Sequence, residues 1–397
     1  MKKSPLSIEE DSPAVQIRRR FFSDWTAVTG FILIILMLAV AVFAPLLANR
    51  LPLLVIKDGS VSFPFFPALF STDSPEIFVE KTFNFFLLYL PLAALAALGM
   101  KFWNIRRKPV IYLSLAVIVS IPFFLFSPPP DRISWKEKAK EIRAAGGIVV
   151  FPPVACGPFE TGGTPYEKPS WEHPAGVDHA GRDVMARMIY GARVSTAVGF
   201  LATLISLIIG TFMGLFTGYK GGKTDLIIMR FVEIVICFPT FLLLLILMSI
   251  MLDYGSRQSI LLVILVIGFT GGWPGLCRLV RGETLKQRSL PYIAAAETLG
   301  VPVRRILFVH ILPNVSGPIF VTFTFDVAGA ILAESSLSFL GFGVQDPAAS
   351  WGELLRQAFP DPLTYWHLTL WPGLAIFLAV CAFNFAGEGL RKAVSPK

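Results

Sequence analysis

The chain has 397 residues, 54% of them hydrophobic and 16% charged, with a mean hydropathy of +0.65 and a net charge of +8. A soluble globular domain carries roughly 25% charge, and here the apolar residues come in runs of about 20, the length that crosses a bilayer. A soluble enzyme is thereby excluded, and because Lys and Arg flank the apolar runs, membrane orientation rather than nucleic acid accounts for the positive charge.

Residues 1–23 are polar and carry Lys2, Lys3, Arg18, Arg19 and Arg20, which place this tail in the cytoplasm. No small-residue cleavage site follows convincingly, so the apolar run in 24–47 reads as a retained first span. Residues 48–127 hold an outer segment rich in Pro, Phe and Ser, then two shorter apolar runs at 83–100 and 109–126. Lys57-Asp58-Gly59 reads as a hairpin turn. Lys101, Arg106, Arg107 and Lys108, beside Trp103, make the link between the two runs a cytoplasmic tip. The pair reads as a transmembrane hairpin, with a re-entrant or buried pair as the alternative.

Residues 128–191 return outside. A charged amphipathic helix is expected over 131–145, a Gly- and Pro-rich loop to 175, and a short helix lying at the membrane over 183–190. Residues 192–390 contain spans at 194–216, 226–251, 260–279, 319–340 and 369–389. Pro239 interrupts the second of these, and Gly271, Gly272 and Pro274 fall in the middle of the third. The tail 391–397 is basic. The count is eight spans with both termini in the cytoplasm, an all-α polytopic fold.

The stretch 291–313 is too polar to span and sits between stretches that do. Ser289 is placed to cap a helix with Pro291 in its first turn. Ala294, Ala295, Ala296 and Leu299 favour helix, and Gly300 can take the left-handed position that ends it. Pro302 starts a second short helix, and Pro313 is expected to stop it. The product is an elbow presenting Arg304 and Arg305 beside Ile306, Leu307 and Val309. A docking surface for a soluble partner and a plain interfacial loop both fit.

Cys156 stands in a loop, Cys237, Cys277 and Cys381 lie in or at apolar runs, and His173, His179, His310 and His367 are scattered. No metal centre or disulfide framework is expected from that spacing. The phosphate-loop, zinc-protease and nucleophile-elbow patterns are missing. The chain reads as a non-enzyme without a cofactor, so any ATP-driven step requires a partner. Glu233, Asp326 and Glu334 fall in or near spans, where ionisable residues are costly. A structural polar pair, a place in a substrate path and ion coupling are the three readings of Asp326 and Glu334.

Residues 291–313 resemble the EAA loop of ABC importer permeases. Ala295, Ala296, Gly300, Leu312 and Pro313 match at the family's distances, while Ala294 replaces the leading Glu and His310 the Ile. Over 174–394 the chain is similar to the C-type permease of the dipeptide/oligopeptide/nickel group. The matching residues are Gly181-Arg182-Asp183, Arg187, Tyr190-Gly191-Ala192-Arg193 and Ser195, then the run from Ala330 through Glu334 to Gln345, and Ser350-Trp351-Gly352. Asp178 stands where the family has the Asp of Gly-Thr-Asp. Residues 51–66 resemble the outer loop of Yej-type peptide permeases.

The resemblance implies a type I ABC importer transmembrane fold, a six-span core with the 83–126 pair inserted. It implies a homologous B-type permease as partner, one or two cytoplasmic ATPase subunits docked at about 281–313, a periplasmic or lipid-anchored substrate-binding protein, and the bacterial inner membrane. Coupling falls on Ala294, Ala295, Ala296, Gly300, Arg304, Arg305, Leu312 and Pro313. Asp178, Gly181, Arg182, Asp183 and Arg193 are expected to build the outer gate, with Arg182 and Asp183 as a charged pair anchoring the 183–190 helix. A peptide substrate is expected; nickel, another small solute, and a carrier or scaffold without an ATPase are the alternatives.

Overall fold

The computed structural model describes residues 13–71, 76–102, 108–126, 128, 133–253 and 260–394. The basic residues of the tail at 1–12, most of the hairpin tip at 103–107, most of the Pro-rich exit at 127–130, the outer turn at 254–257 and the last residues, 395–397, lie outside these.

Helix α1 (Pro13–Ser23) leads into α2 (Trp25–Val42), where Asp24 caps the first turn by accepting from Thr26 N at 3.0 Å. Pro45 sits in the first turn of the short α3 (Ala44–Leu47) that follows. Strands β1 (Leu54–Lys57) and β2 (Ser60–Ser62) then pair antiparallel. Asp58 and Gly59 join them with φ of 48° and 72°, the double positive φ that a two-residue hairpin demands. After α4 (Phe65–Ala68), helices α5 (Ile77–Phe102) and α6 (Lys108–Leu125) form the inserted pair. Lys81 Nζ donates to Phe123 O at 3.1 Å across it.

Helix α7 (Trp135–Ala144) lies within the expected amphipathic segment, and β3 (Ile148–Val150) follows it. That strand pairs antiparallel with the free edge of β1, giving the order β2-β1-β3. Trp135, Ala139 and Ile142 of α7 close over Leu51, Val55 and Val149. The insertion is therefore more than a hairpin: it carries a small outer sheet whose halves flank the two helices. A three-residue strand is too short to show alternation, which is why residues 146–150 read as loop.

Helix α8 (Val184–Lys220) is a single 37-residue helix. The separate surface helix expected at 183–190 does not exist, because Asp183 caps α8 directly and nothing after it breaks the helix. Next come α9 (Gly222–Cys237) and α10 (Thr240–Asp253), bent by 82° around Pro239, and α11 (Ile260–Thr270) and α12 (Trp273–Arg288), bent by 43° at Gly271 and Gly272. Then α13 (Pro291–Thr298), α14 (Val303–Arg305), a π-helical turn (Ile306–Ile311) and α15 (Leu312–Phe339) follow. Finally α16 (Trp351–Gln357) precedes α17 (Trp366–Val394).

Among the described residues, five helices are long and apolar enough to cross a membrane, or seven if each bent pair is one span. The second arm of the insertion falls short: its apolar stretch, Pro109–Phe123, covers about 22 Å at the helical rise, against about 30 Å of hydrocarbon.

Helix α8 is the axis of the core. A Cβ on Gly210 would lie 2.8 Å from Trp273 O, and one on Gly214 2.7 Å from Cys277 O, so only glycine lets α12 approach. The inserted pair joins the main core: Phe83, Leu87, Val119 and Phe123 cluster with buried residues of α2, α8 and α15. Glu76 also accepts from Ile260 N at the start of α11, 3.2 Å from Oε1.

Candidate functional site

The elbow after α12 is a rigid object. At the end of α13, Val301 N donates to Ala296 O and Gly300 N to Glu297 O, each at 3.0 Å, with Gly300 at φ +71°. This is the Schellman ending that the left-handed glycine permits. The start differs from expectation. Ser289 closes α12 by donating to Lys286 O, and Leu290 is the residue preceding α13.

Pro313 does not end a helix either. It lies in the first turn of α15, which continues α14 and the π-turn without a break. Proline has no N–H for the ordinary α bond, and its ring crowds the carbonyl four residues back; the wider turn just before it gives room.

Ile293, Ile306 and Ile311 of this elbow bury themselves with Leu215 of α8, Leu276 and Val280 of α12, and Val315 of α15. Tyr219 at the end of α8 also donates to Glu297 at 2.8 Å, and Arg288 lies over the Tyr219 ring. The elbow is therefore packed onto the ends of three core helices. The expected ridge is corrected accordingly. Ile306 and Leu307 face inward, and the exposed apolar groups are Leu299 (82%), Val303 (51%) and Val309 (57%), beside the exposed Arg304 and Arg305. Ala294 and Ala295 are exposed on the outer face of α13, Ala296 is half-buried, and Leu312 packs against the elbow's core.

At the other end of α8, Asp178, Arg182 and Arg187 gather with Asp346 and Glu353. Arg182 Nε donates to Asp178 Oδ2 at 2.7 Å, and its Nη2 lies 2.5 Å from Asp346 Oδ1. Arg187 Nη2 donates to Glu353 Oε2 at 2.7 Å, and its Nε lies 3.3 Å from Asp178. Burial works to lower the Arg182 pKa, and Asp346 and Asp178 overcome it, holding the guanidinium above its ordinary value. Asp178 also accepts from Ala180 N and Arg182 N, both at 2.9 Å, around Gly181 at φ +82°.

Arg182 and Asp183 are not a pair. Asp183 turns inward to accept from Ala186 N at 2.7 Å and meets His173 Nδ1 at 2.8 Å. Arg193 lies deeper, donating to Ala41 O at 2.7 Å and Val42 O at 3.2 Å, with its guanidinium over Phe83 and Tyr190. It ties α8 to the end of α2 rather than joining the acidic cluster.

Cys156, His173 and Asp183 bring a thiol, an imidazole and a carboxylate within 4.8 Å of one another, a grouping that separations in sequence do not reveal. Lys136 Nζ stands 3.3 Å from Cys156 Sγ, however, and already supplies positive charge there. Burial pushes the Cys156 thiol pKa up, with Lys136 opposing.

Within the membrane core, Glu334 is fully buried and accepts from Ser195 at 3.1 Å and Ser338 at 2.8 Å. Asp326 is elsewhere, half-buried against Gly272. The two are not a pair. Glu233 lies at the surface and accepts from Arg230 at 2.7 Å.

Arg187, Asp346, Glu353, His173, Tyr219 and Glu297 were not singled out as site residues from sequence. One local signal existed for Glu353: Ser350 stands three residues before it, the spacing of a helix cap, and Ser350 Oγ accepts from Glu353 N at 3.1 Å.

Residues 194–397 match the family described as binding-protein-dependent transport system inner membrane component, and residues 12–56 match the N-terminal TM domain of oligopeptide transport permease C. The chain is 37% identical over 277 residues to the dipeptide transport system permease protein DppC of Bacillus subtilis, covering 66% of this chain and 85% of that protein. It is 42% identical over 225 residues to the oligopeptide transport system permease protein OppC of Haemophilus influenzae, covering 57% and 70%. It is also 42% identical over 231 residues to the glutathione transport system permease protein GsiD of Pectobacterium atrosepticum, covering 58% and 75%. With its long helices, its two broken spans and these matches, the chain is a multi-pass membrane permease with the type I ABC importer fold, and it belongs to the binding-protein-dependent transport system inner membrane component family.

Proposed function

We propose that this chain is the non-catalytic transmembrane subunit of an ATP-driven peptide importer in a bacterial cytoplasmic membrane, with both termini in the cytoplasm, which requires that α6 crosses together with α5, the short arm being met by local thinning of the bilayer. It pairs with a homologous B-type permease, and the substrate path runs between the two. Residues 128–191 face a periplasmic or lipid-anchored binding protein. The elbow within 281–313 seats in a groove on separate ATPase subunits. Three relatives named for dipeptide, oligopeptide and glutathione transport support the substrate class.

The observation that carries the coupling is the buried cluster linking Ile293 and Ile306 to α8, α12 and α15, with Leu299, Val303, Arg304 and Arg305 left outside. A surface so fixed to three helix ends can convert closure of an ATPase dimer into helix rotation. Asp178, Arg182, Asp183 and Arg193 serve as outer-gate struts, and Glu334 is a structural cross-link between α8 and α15.

The test is co-expression with a candidate B-type permease, ATPase and binding protein from the same organism, followed by tri-alanine uptake in reconstituted vesicles. Uptake dependent on ATP and on both permeases is expected. A transport-competent homodimer of this chain, or uptake without an ATPase, contradicts the proposal.

A further inference from the structure

A cavity of about 550 Å3 opens where both broken spans bend. Its wall includes Thr203 and Ser206 of α8, Phe238 at the α9–α10 break, Thr270 and Gly272 around the α11–α12 break, and Asp326 of α15. Among the described residues, no Lys, Arg or His lines it.

Three hydroxyls of this cavity are committed as donors. Ser206 Oγ donates to Gly268 O at 2.7 Å, and Thr270 Oγ1 to Val266 O at 2.6 Å. Thr322, also on the wall, donates to Pro318 O at 3.0 Å. Each of these three hydrogens is spent on backbone, so what these groups offer a cavity occupant is oxygen lone pairs, while Thr203 Oγ1 has no hydrogen-bond partner among the described residues. Asp326 adds a carboxylate that has no hydrogen-bond or ion-pair partner among the described residues. Glu334, about two turns further along α15, accepts from Ser195 and Ser338. An ionisable group held inside a membrane bundle without a partner marks a functional position.

The carboxylate lies against the start of α12. A Cβ on Gly272 would come within 2.7 Å of Asp326 Oδ2, and Gly272 begins α12 with no side-chain cap. The cavity thus offers one unpaired carboxylate and several acceptor oxygens with no cationic side chain among the described residues, which matches a group with several N–H donors and a positive charge.

We propose that Asp326 receives the primary ammonium group of the transported solute, as on the amino end of a peptide, with the Ser206 and Thr270 hydroxyl oxygens completing the site. The proposal rests on the reading of the chain as a peptide permease for the identity of the solute, and on the cavity alone for the chemistry.

The importer is assembled in nanodiscs, and Asp326 is modified with dicyclohexylcarbodiimide, the adduct being read by mass spectrometry. Saturating tri-alanine and saturating methylammonium should each slow labelling at least about tenfold, while N-acetyl-tri-alanine and sodium chloride should not. In vesicles, Asp326→Asn should lower tri-alanine uptake at least about tenfold with assembly unchanged, and Asp326→Glu should recover most of it. Protection by methylammonium without any tri-alanine uptake by the wild-type importer keeps the ammonium site and removes the peptide reading. Equal protection by sodium ions or by N-acetyl-tri-alanine overturns the proposal, as does normal uptake by an assembled Asp326→Asn complex.

Discussion

Arg187 in α8 donates to Glu353 in α16 at 2.7 Å although 166 residues separate them in sequence. Both side chains are buried, and the bond fastens the outer end of α8 to the segment between α15 and α17. Asp178 and Asp346 share the same guanidinium.

Removing the cation from this cluster leaves three acids facing one arginine. Arg187→Leu should therefore cost about 3–5 kcal/mol, the range for orphaning one side of a buried ion pair. Glu353→Gln keeps the shape and leaves Asp178 and Asp346 on the arginine, so it should cost about 1–2 kcal/mol. Denaturant titration of the solubilised chain gives both numbers. Equal, small losses would show that the cluster is not holding the outer ends together.

Asp183→Ala removes the cap of α8 and the His173 contact together. A loss of about 1 kcal/mol from the cap alone is expected, with less assembled complex and unchanged substrate preference. Asp183→Ser should restore most of the cap. Full assembly with altered preference would place Asp183 in the substrate path instead.

Burial raises the Glu76 pKa to about 7, with the Ile260 N–H opposing. A carboxyl whose folded pKa is raised is destabilised as its charged form appears, so stability should fall as pH rises from about 4.5 through 7. Thermal unfolding of the solubilised protein should show that decline in wild type. Glu76→Gln should flatten it. A wild-type curve that rises across this window would show that Glu76 enters the fold already charged.

The spans and the elbow were legible because long apolar runs, Pro291, Gly300 and Pro302 each act locally. Pro239 and Gly271-Gly272 likewise marked both bends. What stayed hidden depends on distant partners. Strand β3 exists because β1 offers an edge across the inserted helices. Arg182 chooses Asp346 over its neighbour Asp183 because the latter is consumed in capping α8. The inward turn of Ile306 and Leu307 follows from the continuity of α14 with α15 through the π-turn, which Pro313 concealed by looking like a stop. The contrast between Asp326 and Glu334 is partly legible, since serines follow Glu334 in sequence, but its bond to Ser195 of α8 depends on a distant partner.

The central claim is that the Gly300 elbow transmits force from an ATPase to the spans. Gly300→Val meets nothing within 4 Å of the added Cβ, so its cost is the left-handed backbone itself, about 1–2 kcal/mol, together with a misaimed α14. Gly300→Asn, which tolerates that backbone, should be milder, as should Arg304→Glu. The measurement is ATP hydrolysis, tri-alanine uptake and ATPase retention of the reconstituted Gly300→Val importer. The account predicts an inserted protein whose uptake is lost and whose ATP hydrolysis no longer responds to loaded binding protein. Normal uptake with normal ATPase retention would contradict it, and residues 291–313 would then be an ordinary loop.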